Sequence, residues 1–184
     1  SNNKTSELIL SKRLSSGPMK IPADGIVRMI RGQVNPTNPS EPTYQILAEA
    51  KIPDSIQKAL VILVPATKRG TDWVFATKVQ NLDDFSGGDW LFLNLTQLDV
   101  AAKLGDQSIP LKPGKSRVAK AGALREPTSM PMSYHFYEPT QKEWKLISAS
   151  TVVVRPTRRE ICIFSWDECR KRIKYHGVTF PVDR

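Results

Sequence analysis

Side chains that commonly act in catalysis or bind metals are sparse in this 184-residue chain, which has two histidines and two cysteines. His135 and His176 lie in predicted strands, without a carboxylate or cysteine at metal-ligand spacing. A cupredoxin-like copper site needs two histidines, a cysteine and usually a methionine close to the Cys–His loop. All four methionines lie at or before Met132. The pattern therefore disfavours copper, and the histidines are predicted to be structural or surface residues.

Other catalytic and metal-binding patterns are weak or missing. Zinc sites need short Cys or His spacings, and the sequence has none. Ser86-Gly87-Gly88 superficially resembles a nucleophile elbow, but it introduces a predicted strand instead of a helix. Asp83, Asp84 and Asp89 suit calcium, although solvated turn acids are the favoured interpretation. We therefore predict that the protein is not an enzyme, has no catalytic residue, and uses no metal or other cofactor.

The two cysteines, Cys162 and Cys169, are too few for a disulfide framework. A hairpin of residues 161–166 and 171–176 would place Ile173 or Lys174 opposite Cys162 and leave Cys169 in the turn. A disulfide requires Cα atoms within about 7 Å. Both residues are therefore predicted to be free thiols, with Cys162 buried as a small hydrophobic residue.

The chain is basic, with 27 Lys and Arg residues, 18 acids and a formal net charge of +9. A basic excess favours anionic partners, and it also serves solubility. In residues 103–125, six basic residues accompany the single acid Asp106. Most of these cations alternate with apolar or small residues, as is typical of solvated strand faces and turns. A second concentration gives the candidate anion or ligand surface, which comprises Arg158, Arg159, Trp166, Arg170, Arg172 and Lys174.

Aromatic residues near such cations suit two ligand classes. In an OB-like barrel they would stack on the bases of single-stranded nucleic acid. The aromatics of residues 73–75 and 130–137 share strand parity with aliphatic residues, which indicates core positions and disfavours nucleic acid. Exposed Trp90, Trp144 or Trp166 would instead stack on sugar rings, although burial is the usual state of Trp in a sandwich.

Turn signals divide the chain into short strands. Gly87-Gly88 precedes an apolar run at residues 90–96, which contains the sequon Asn94-Leu95-Thr96, and Pro113-Gly114 precedes another run. Fourteen prolines interrupt any long helical pattern. About ten short strands are predicted at the spacing typical of sandwiches and barrels. They include residues 6–14, 25–34, 43–52, 59–65, 72–80, 90–95, 130–137, 144–154, 159–166 and 170–178.

The predicted fold is all-β, an antiparallel β-sandwich of immunoglobulin-like character. Residues 59–64 are continuously apolar, which predicts a central strand buried on both faces, and residues 67–71 are predicted to form its hairpin loop. The proline-rich loop at 36–42 separates predicted N-terminal strands or an arm at 1–35 from a sandwich domain at 43–184. The length fits a single globular domain overall. No window approaches the about 20 apolar residues of a membrane span.

The order of these signals resembles a group of uncharacterised, exported all-β bacterial proteins. The resemblance covers about residues 59–178. It rests on the apolar strand at 60–64, Phe85-Ser86-Gly87-Gly88, the strand at 90–96, Leu104-Gly105, Leu111-Lys112-Pro113-Gly114 and later strands that contain Tyr and Trp. It implies an exported all-β protein and supplies no catalytic residues. A first residue other than Met is compatible with a removed signal peptide, so a periplasmic or secreted location is expected.

The predicted function is a non-enzymatic exported module for protein–protein or cell-envelope interaction. The alternative is a module that binds glycan or polyanion through the C-terminal Arg, Lys and Trp residues, and an enzyme is the third hypothesis. The expected partner is another envelope protein or an anionic glycan. A flat apolar patch would favour a protein partner, a coplanar row of Trp would favour glycan, and a pocket with a histidine beside a carboxylate would favour catalysis.

Overall fold

The computed structural model describes residues 7, 16–35, 37, 38, 41–69 and 72–182, without the side chains of 67–69, 72 and 73. All helix or strand structure in these residues is β-strand. Twelve strands are present: β1 (Ile26–Gln33), β2 (Thr43–Lys51), β3 (Ala59–Arg69), β4 (Asp72–Asn81), β5 (Trp90–Asn94), β6 (Val100–Leu104), β7 (Gln107–Leu111), β8 (Ser116–Ala119), β9 (Thr128–Glu138), β10 (Glu143–Val154), β11 (Arg158–Asp167) and β12 (Arg172–Pro181). They fall into two compact units: the N-terminal unit, Gly17–Asp84, contains β1 to β4, and the C-terminal unit contains β5 to β12.

The N-terminal unit consists of two antiparallel hairpins. β1 pairs with β2, and β3 pairs with β4. The hydroxyl of Thr77 on β4 donates a hydrogen bond of 2.7 Å to the carbonyl of Glu49 on β2. Small and aliphatic residues of β2 and the residue after it supply buried side chains, namely Leu47, Ala48, Ala50 and Ile52. The two hairpins are therefore joined by a hydrogen bond between β2 and β4.

Two predictions for this unit are wrong. Residues 59–64 were expected to form a central strand buried on both faces, but all six are half-buried. β3 pairs with β4 alone among the described strands, so it is an edge strand and not a central one. The hairpin loop is also shorter than the predicted 67–71, because the paired strands extend to Arg69 and from Asp72. The strand predicted at 6–14 falls, apart from Glu7, outside the described residues.

The C-terminal unit is a sandwich of two four-stranded sheets, with strand orders β10-β9-β6-β7 and β12-β11-β5-β8. All neighbours are antiparallel except β5 and β11, which are parallel. Side chains from the inner faces of both sheets form the core, which includes Phe92, Val100, Leu104, Leu111, Met132, Tyr134, Cys162 and Phe164. The predicted all-β antiparallel sandwich is thus confirmed, with twelve strands instead of about ten. Its immunoglobulin-like character stays a prediction.

The central, doubly buried strand is β5. Phe92 points into the core between the sheets, and Leu91 and Leu93 on the opposite face are also buried. β5 has a partner on each side, β8 and β11, as expected for a nearly continuous apolar run. On the outer face of this sheet, Phe85 meets Phe180 edge-on at a ring-centroid distance of 6.2 Å. The sequence pattern predicted an apolar strand at residues 90–95, but it assigned burial on both faces to residues 59–64 instead.

The predicted division of the chain into an arm at 1–35 and a domain at 43–184 stays a prediction. In the structure, β1 pairs with β2 across the intervening proline-containing loop. In the part of the chain that the structure describes, no helix is long and apolar enough to cross a membrane.

Candidate functional site

The six residues of the candidate anion or ligand surface lie on or beside the β11–β12 hairpin, but at two different ends. Arg158 and Arg159 begin β11 and pair with Pro181 and Phe180. The other four lie at the turn between β11 and β12, seven or more residues further on, which corresponds to about 23 Å along a strand. These four form the hairpin end: Trp166, Arg170, Arg172 and Lys174. The structure therefore divides the predicted surface.

Acidic residues in the turn offset part of the positive charge of the hairpin end. The backbone N–H groups of Arg170 and Cys169 donate to the Asp167 carboxylate at 3.2 and 3.1 Å, and they hold the pKa of Asp167 below its usual value. Lys171 donates to Glu168 at 2.8 Å and lowers the pKa of Glu168. Both acids are ionised at neutral pH, so they neutralise half of the charge of the four cations at 170–174.

The hairpin end does not combine its tryptophan and its strand cations on one face. In the antiparallel register Trp166 lies opposite Ile173, and Lys174 lies opposite Ser165. Directly opposed residues share a face and successive residues alternate, so Trp166 and Lys174 project to opposite faces. Trp90, another predicted sugar-stacking residue, is half-buried and stacks on Phe92 at 5.9 Å. A coplanar row of Trp90, Trp144 and Trp166 is therefore not formed.

Asp89, a predicted calcium candidate, is a buried structural acid. Its Oδ2 accepts the Ser86 N–H at 2.8 Å and the Lys120 ammonium at 2.9 Å, and its Oδ1 accepts the Ala121 N–H at 3.0 Å. These donors from the chain itself use both carboxylate oxygens. Across the residues that the structure describes, no group of three or more His, Cys, Asp or Glu residues is arranged to hold a metal ion.

Asn94 of the sequon is fully buried at the end of β5. Its amide nitrogen donates to the carbonyls of Leu98 at 2.8 Å and Leu111 at 2.9 Å. Its amide oxygen accepts the N–H of Thr96 at 2.9 Å and the hydroxyl of Thr96 at 2.8 Å. All hydrogen-bonding groups of this side chain are thus used to hold the chain after β5, which makes Asn94 a structural residue.

The two cysteines are free, as predicted, with Cys162 buried and Cys169 exposed. Cys169 lies in the β11–β12 turn as expected, but Cys162 pairs with Gly177 rather than with Ile173 or Lys174. That part of the prediction is wrong because the observed turn lies one residue later than predicted, and the register that pairs Asp167 with Arg172 brings Gly177 opposite Cys162. Burial raises the pKa of Cys162 to about 12, and Tyr134 hydrogen-bonds to its thiol. Cys162 is therefore protonated at neutral pH.

This environment predicts a large difference in thiol reactivity. The thiolate is the reactive form, so the buried, protonated Cys162 should resist alkylation in the folded protein while exposed Cys169 reacts. In mildly alkaline buffer we expect one fast-reacting equivalent with a thiol-specific chromogenic disulfide, and two after unfolding in denaturant. Cys169→Ser should remove the fast equivalent. Two fast equivalents in the folded wild-type protein would contradict the buried position of Cys162.

A cluster on the outer face of β9 and β10, called here the aromatic patch, comprises half-buried His135 and Tyr137 and exposed Trp144 and Leu146. Trp144 lies directly opposite Tyr137, and their rings meet edge-on at 5.7 Å. Leu146 lies opposite His135, which in turn faces Ala101 on β6. Trp144 is 49% exposed and Leu146 is 58% exposed. The β9–β10 pair thus keeps the side chains of Trp144 and Leu146 exposed to solvent.

A concave feature, called here the β7–β8 groove, lies between one edge strand of each sheet. It is open to solvent, has a volume of about 550 Å³, and is lined by Gln107, Ser108, Ile109, Arg117, Val118 and Ala119. Ile109 and Ala119 are buried members of the core, whereas Arg117 is exposed. The side-chain amide of Gln107 donates to the carbonyl of Lys120 at 2.7 Å and links the two edges. The groove therefore has an apolar floor and one cationic side chain.

No family model matches the chain. The same holds for the curated protein sequences and the solved structures with which it was compared. The function must therefore be argued from surfaces.

Sequence reasoning had named Trp144 only for sugar stacking and had assigned Arg117 to a solvated basic run. The useful signal was strand parity, which places Trp144 and Leu146 on one face of β10 and Arg117 on the inner face of an edge strand.

Proposed function

We propose that the protein is a non-enzymatic module that binds a protein partner through the aromatic patch. The observation that carries this proposal is the exposure of Trp144 and Leu146 side by side on β10, with Trp144 supported by the ring of Tyr137. Tryptophan and tyrosine are enriched at the energetic centres of protein interfaces, because a rigid ring buries a large area at a small entropic cost. His135 adds a polar group beside the apolar ones.

The proposed partner is another protein of the cell envelope, and the proposed location is periplasmic or secreted. Both rest on the resemblance to exported all-β proteins and on the absence from the sequence of a convincing catalytic arrangement. Binding by a sheet face needs no catalytic group, and a rigid sheet presents its side chains without a large ordering cost on association.

The proposal is tested by quantitative capture of envelope proteins from the native host on immobilised protein. We expect Trp144→Ser to weaken the capture of a specific partner by about 30-fold, as for an interface residue whose loss costs about 2 kcal/mol. The matched control is Val153→Ser, which removes a similarly exposed apolar side chain from the same face of the same strand, beyond the patch. Equal loss in both variants, or no loss in either, would contradict the proposal.

A second candidate function, binding of a glycan or polyanion, is favoured by the excess of cations at the hairpin end, where exposed Trp166 lies on the face opposite Lys174. Chromatography on a heparin column distinguishes this candidate function from the first. Retention above that of an unrelated protein of equal charge, reduced by Arg172→Gln and unaffected by Trp144→Ser, would favour the polyanion. Retention equal to that of the unrelated protein would exclude it.

A further inference from the structure

We propose that the β7–β8 groove binds a short, extended, acidic peptide segment, which pairs with the free edge of β8 and places a carboxylate on Arg117. This site is separate from the aromatic patch, which lies on the outer face of β9 and β10. The inference therefore does not depend on the function proposed above. Three features of the groove lead to it: the backbone groups of β8, the apolar floor, and the charge of the lining.

β8 presents a free hydrogen-bonding edge. Asn94 on β5 directs both its N–H and its C=O towards β8, through bonds of 3.0 Å to the Lys115 carbonyl and 2.9 Å from the Gly114 N–H. Because strand residues alternate, the residues of β8 opposite Phe92 and Trp90 face β5, and Ser116 and Val118 direct their backbone groups to the other side. Among the described strands, β8 pairs with β5 alone. A peptide strand can therefore add to this edge.

β7, on the other side of the groove, is less suited to accept a strand. It pairs with β6 alone among the described strands, but it contains Pro110, which has no N–H. Proline in an edge strand places its nitrogen on the free side and removes a donor there. The geometry therefore assigns the backbone pairing to β8 and leaves β7 as the opposite wall.

The side chains of the groove set the chemistry of the peptide. Arg117 and Ala119 lie on the same face of β8, two residues apart, and this face is the one that contacts buried Ile109. A peptide strand that follows β8 also directs every second residue inward. One inward residue would face Arg117 and the next would cover Ala119 and Ile109. β8 is four residues long and spans about 13 Å, so about four peptide residues are held.

The positive charge of Arg117 favours an acidic residue at the inward peptide position that faces it. The side chain of Arg117, whose backbone pairs with Phe92, makes no hydrogen bond or ion pair with the residues that the structure describes. None of the six lining residues is acidic, and Lys115 immediately precedes β8. A guanidinium binds a carboxylate through two parallel hydrogen bonds, which gives both affinity and orientation. The peptide therefore has an Asp or Glu at one inward position and an apolar side chain two residues away.

The test uses a fluorescein-labelled, end-capped six-residue peptide in which one glutamate and one valine, two positions apart, alternate with threonines. Binding is followed by fluorescence anisotropy at low ionic strength. We expect the full protein to bind this peptide, and Arg117→Gln to bind it about tenfold or more weakly, as expected for loss of a charge-assisted hydrogen bond. The matched control is Arg125→Gln, which removes an equal charge from the exposed loop after β8. Its affinity should remain within about twofold of the wild-type value.

Two further measurements separate strand pairing from general attraction of charge. A peptide N-methylated on the backbone should bind about tenfold or more weakly, because it cannot donate to the edge of β8. In the complex, hydrogen exchange at the amides of Ser116 and Val118 should slow, because these N–H groups become hydrogen-bonded. Thermal unfolding confirms that each protein variant is folded.

Several outcomes would overturn the inference. They are absence of binding by the glutamate peptide, equal binding of a glutamine-substituted peptide, equal weakening by Arg117→Gln and Arg125→Gln, and unchanged exchange at Ser116 and Val118. A sulfated oligosaccharide that binds through Arg117 when the peptide does not would also overturn it, in favour of a glycan ligand. Failure of the Trp144→Ser experiment would leave these measurements unaffected, so the two proposals fail independently.

Discussion

Asn94→Asp is expected to lower the free energy of unfolding by about 3–5 kcal/mol at neutral pH, although the two side chains have nearly the same shape. The Asn94 amide nitrogen donates to the carbonyls of Leu98 and Leu111. In the variant, a carboxylate oxygen would take this position in a fully buried site and face two oxygens without a proton between them. Both carbonyls would lose their hydrogen-bond donor, and the buried negative charge would lose its hydration.

The pH dependence of this loss has a definite sign. Burial and the facing carbonyls raise the pKa of the introduced carboxyl in the folded state above its value in the unfolded chain. At a pH where the carboxyl is protonated in both states, its raised pKa costs no stability. The free energy of unfolding of the variant then falls as the pH rises, and the full loss is reached above the folded-state pKa. The stability difference between Asn94→Asp and wild type should therefore shrink on moving from neutral to mildly acidic pH.

Urea unfolding followed by tryptophan fluorescence measures this difference at both pH values. The control is Asn35→Asp, because the Asn35 side-chain oxygen acts as an acceptor from the N–H groups of Thr37 and Asn38 at 3.0 and 3.3 Å. A carboxylate retains that role, so the control should change stability by less than about 0.5 kcal/mol. Equal effects of the two substitutions, or a loss for Asn94→Asp that grows as the pH falls, would contradict the structural role of Asn94.

The second large effect is expected for Gly87→Ala. A Cβ at residue 87 would lie 1.8 Å from the carbonyl oxygen and 2.7 Å from the carbonyl carbon of Pro156. These are backbone atoms of the turn between β10 and β11, so relief requires a shift of the main chain. Gly88 next to it donates its N–H to the Arg158 carbonyl at 2.7 Å, which holds the two segments together. We expect a loss of about 3 kcal/mol or more in the free energy of unfolding.

Gly177→Ala is the matched control for this experiment. Gly177 lies in β12, and a Cβ there would meet no heavy atom within 4 Å among those compared. Alanine also restricts the unfolded chain more than glycine, so the control should be neutral or stabilise the protein by less than about 1 kcal/mol. Thermal unfolding monitored by circular dichroism measures both variants. A Gly87→Ala protein with the unfolding temperature of the control would show that the turn at Pro156 can move freely.

The fold class could be predicted from sequence because its causes are local. Glycine and proline mark turns through their backbone preferences, and apolar runs of strand length mark buried strands regardless of which strand they pair with. For this reason the long strands β9 to β12 were identified within a few residues. The error at residues 59–64 has the opposite origin, since the number of flanking strands decides whether an apolar strand is central, and that number is a property of the whole sheet.

The candidate surfaces could be predicted only in part. The sequence located a concentration of cations near the C-terminus, but register separated Arg158 and Arg159 from the hairpin end, and alternation placed Trp166 and Lys174 on opposite faces. The basic run at 103–125 was visible in the sequence. Its interpretation changed with pairing, because Arg117 lies on the inner face of an edge strand beside buried Ile109. Neither relation follows from spacing along the chain.

By itself, the sequence determined the turns, the all-β class, the existence of an apolar strand at residues 90–95 and the free state of the cysteines. Tertiary structure decided which polar residues are structural, as for Asn94 and Asp89, and which apolar residues remain exposed, as for Trp144 and Leu146. The physical reason is that burial and hydrogen-bond partners depend on strands that are distant in sequence. Composition and periodicity report the preferences of short segments, whereas a binding surface forms only where several such segments meet.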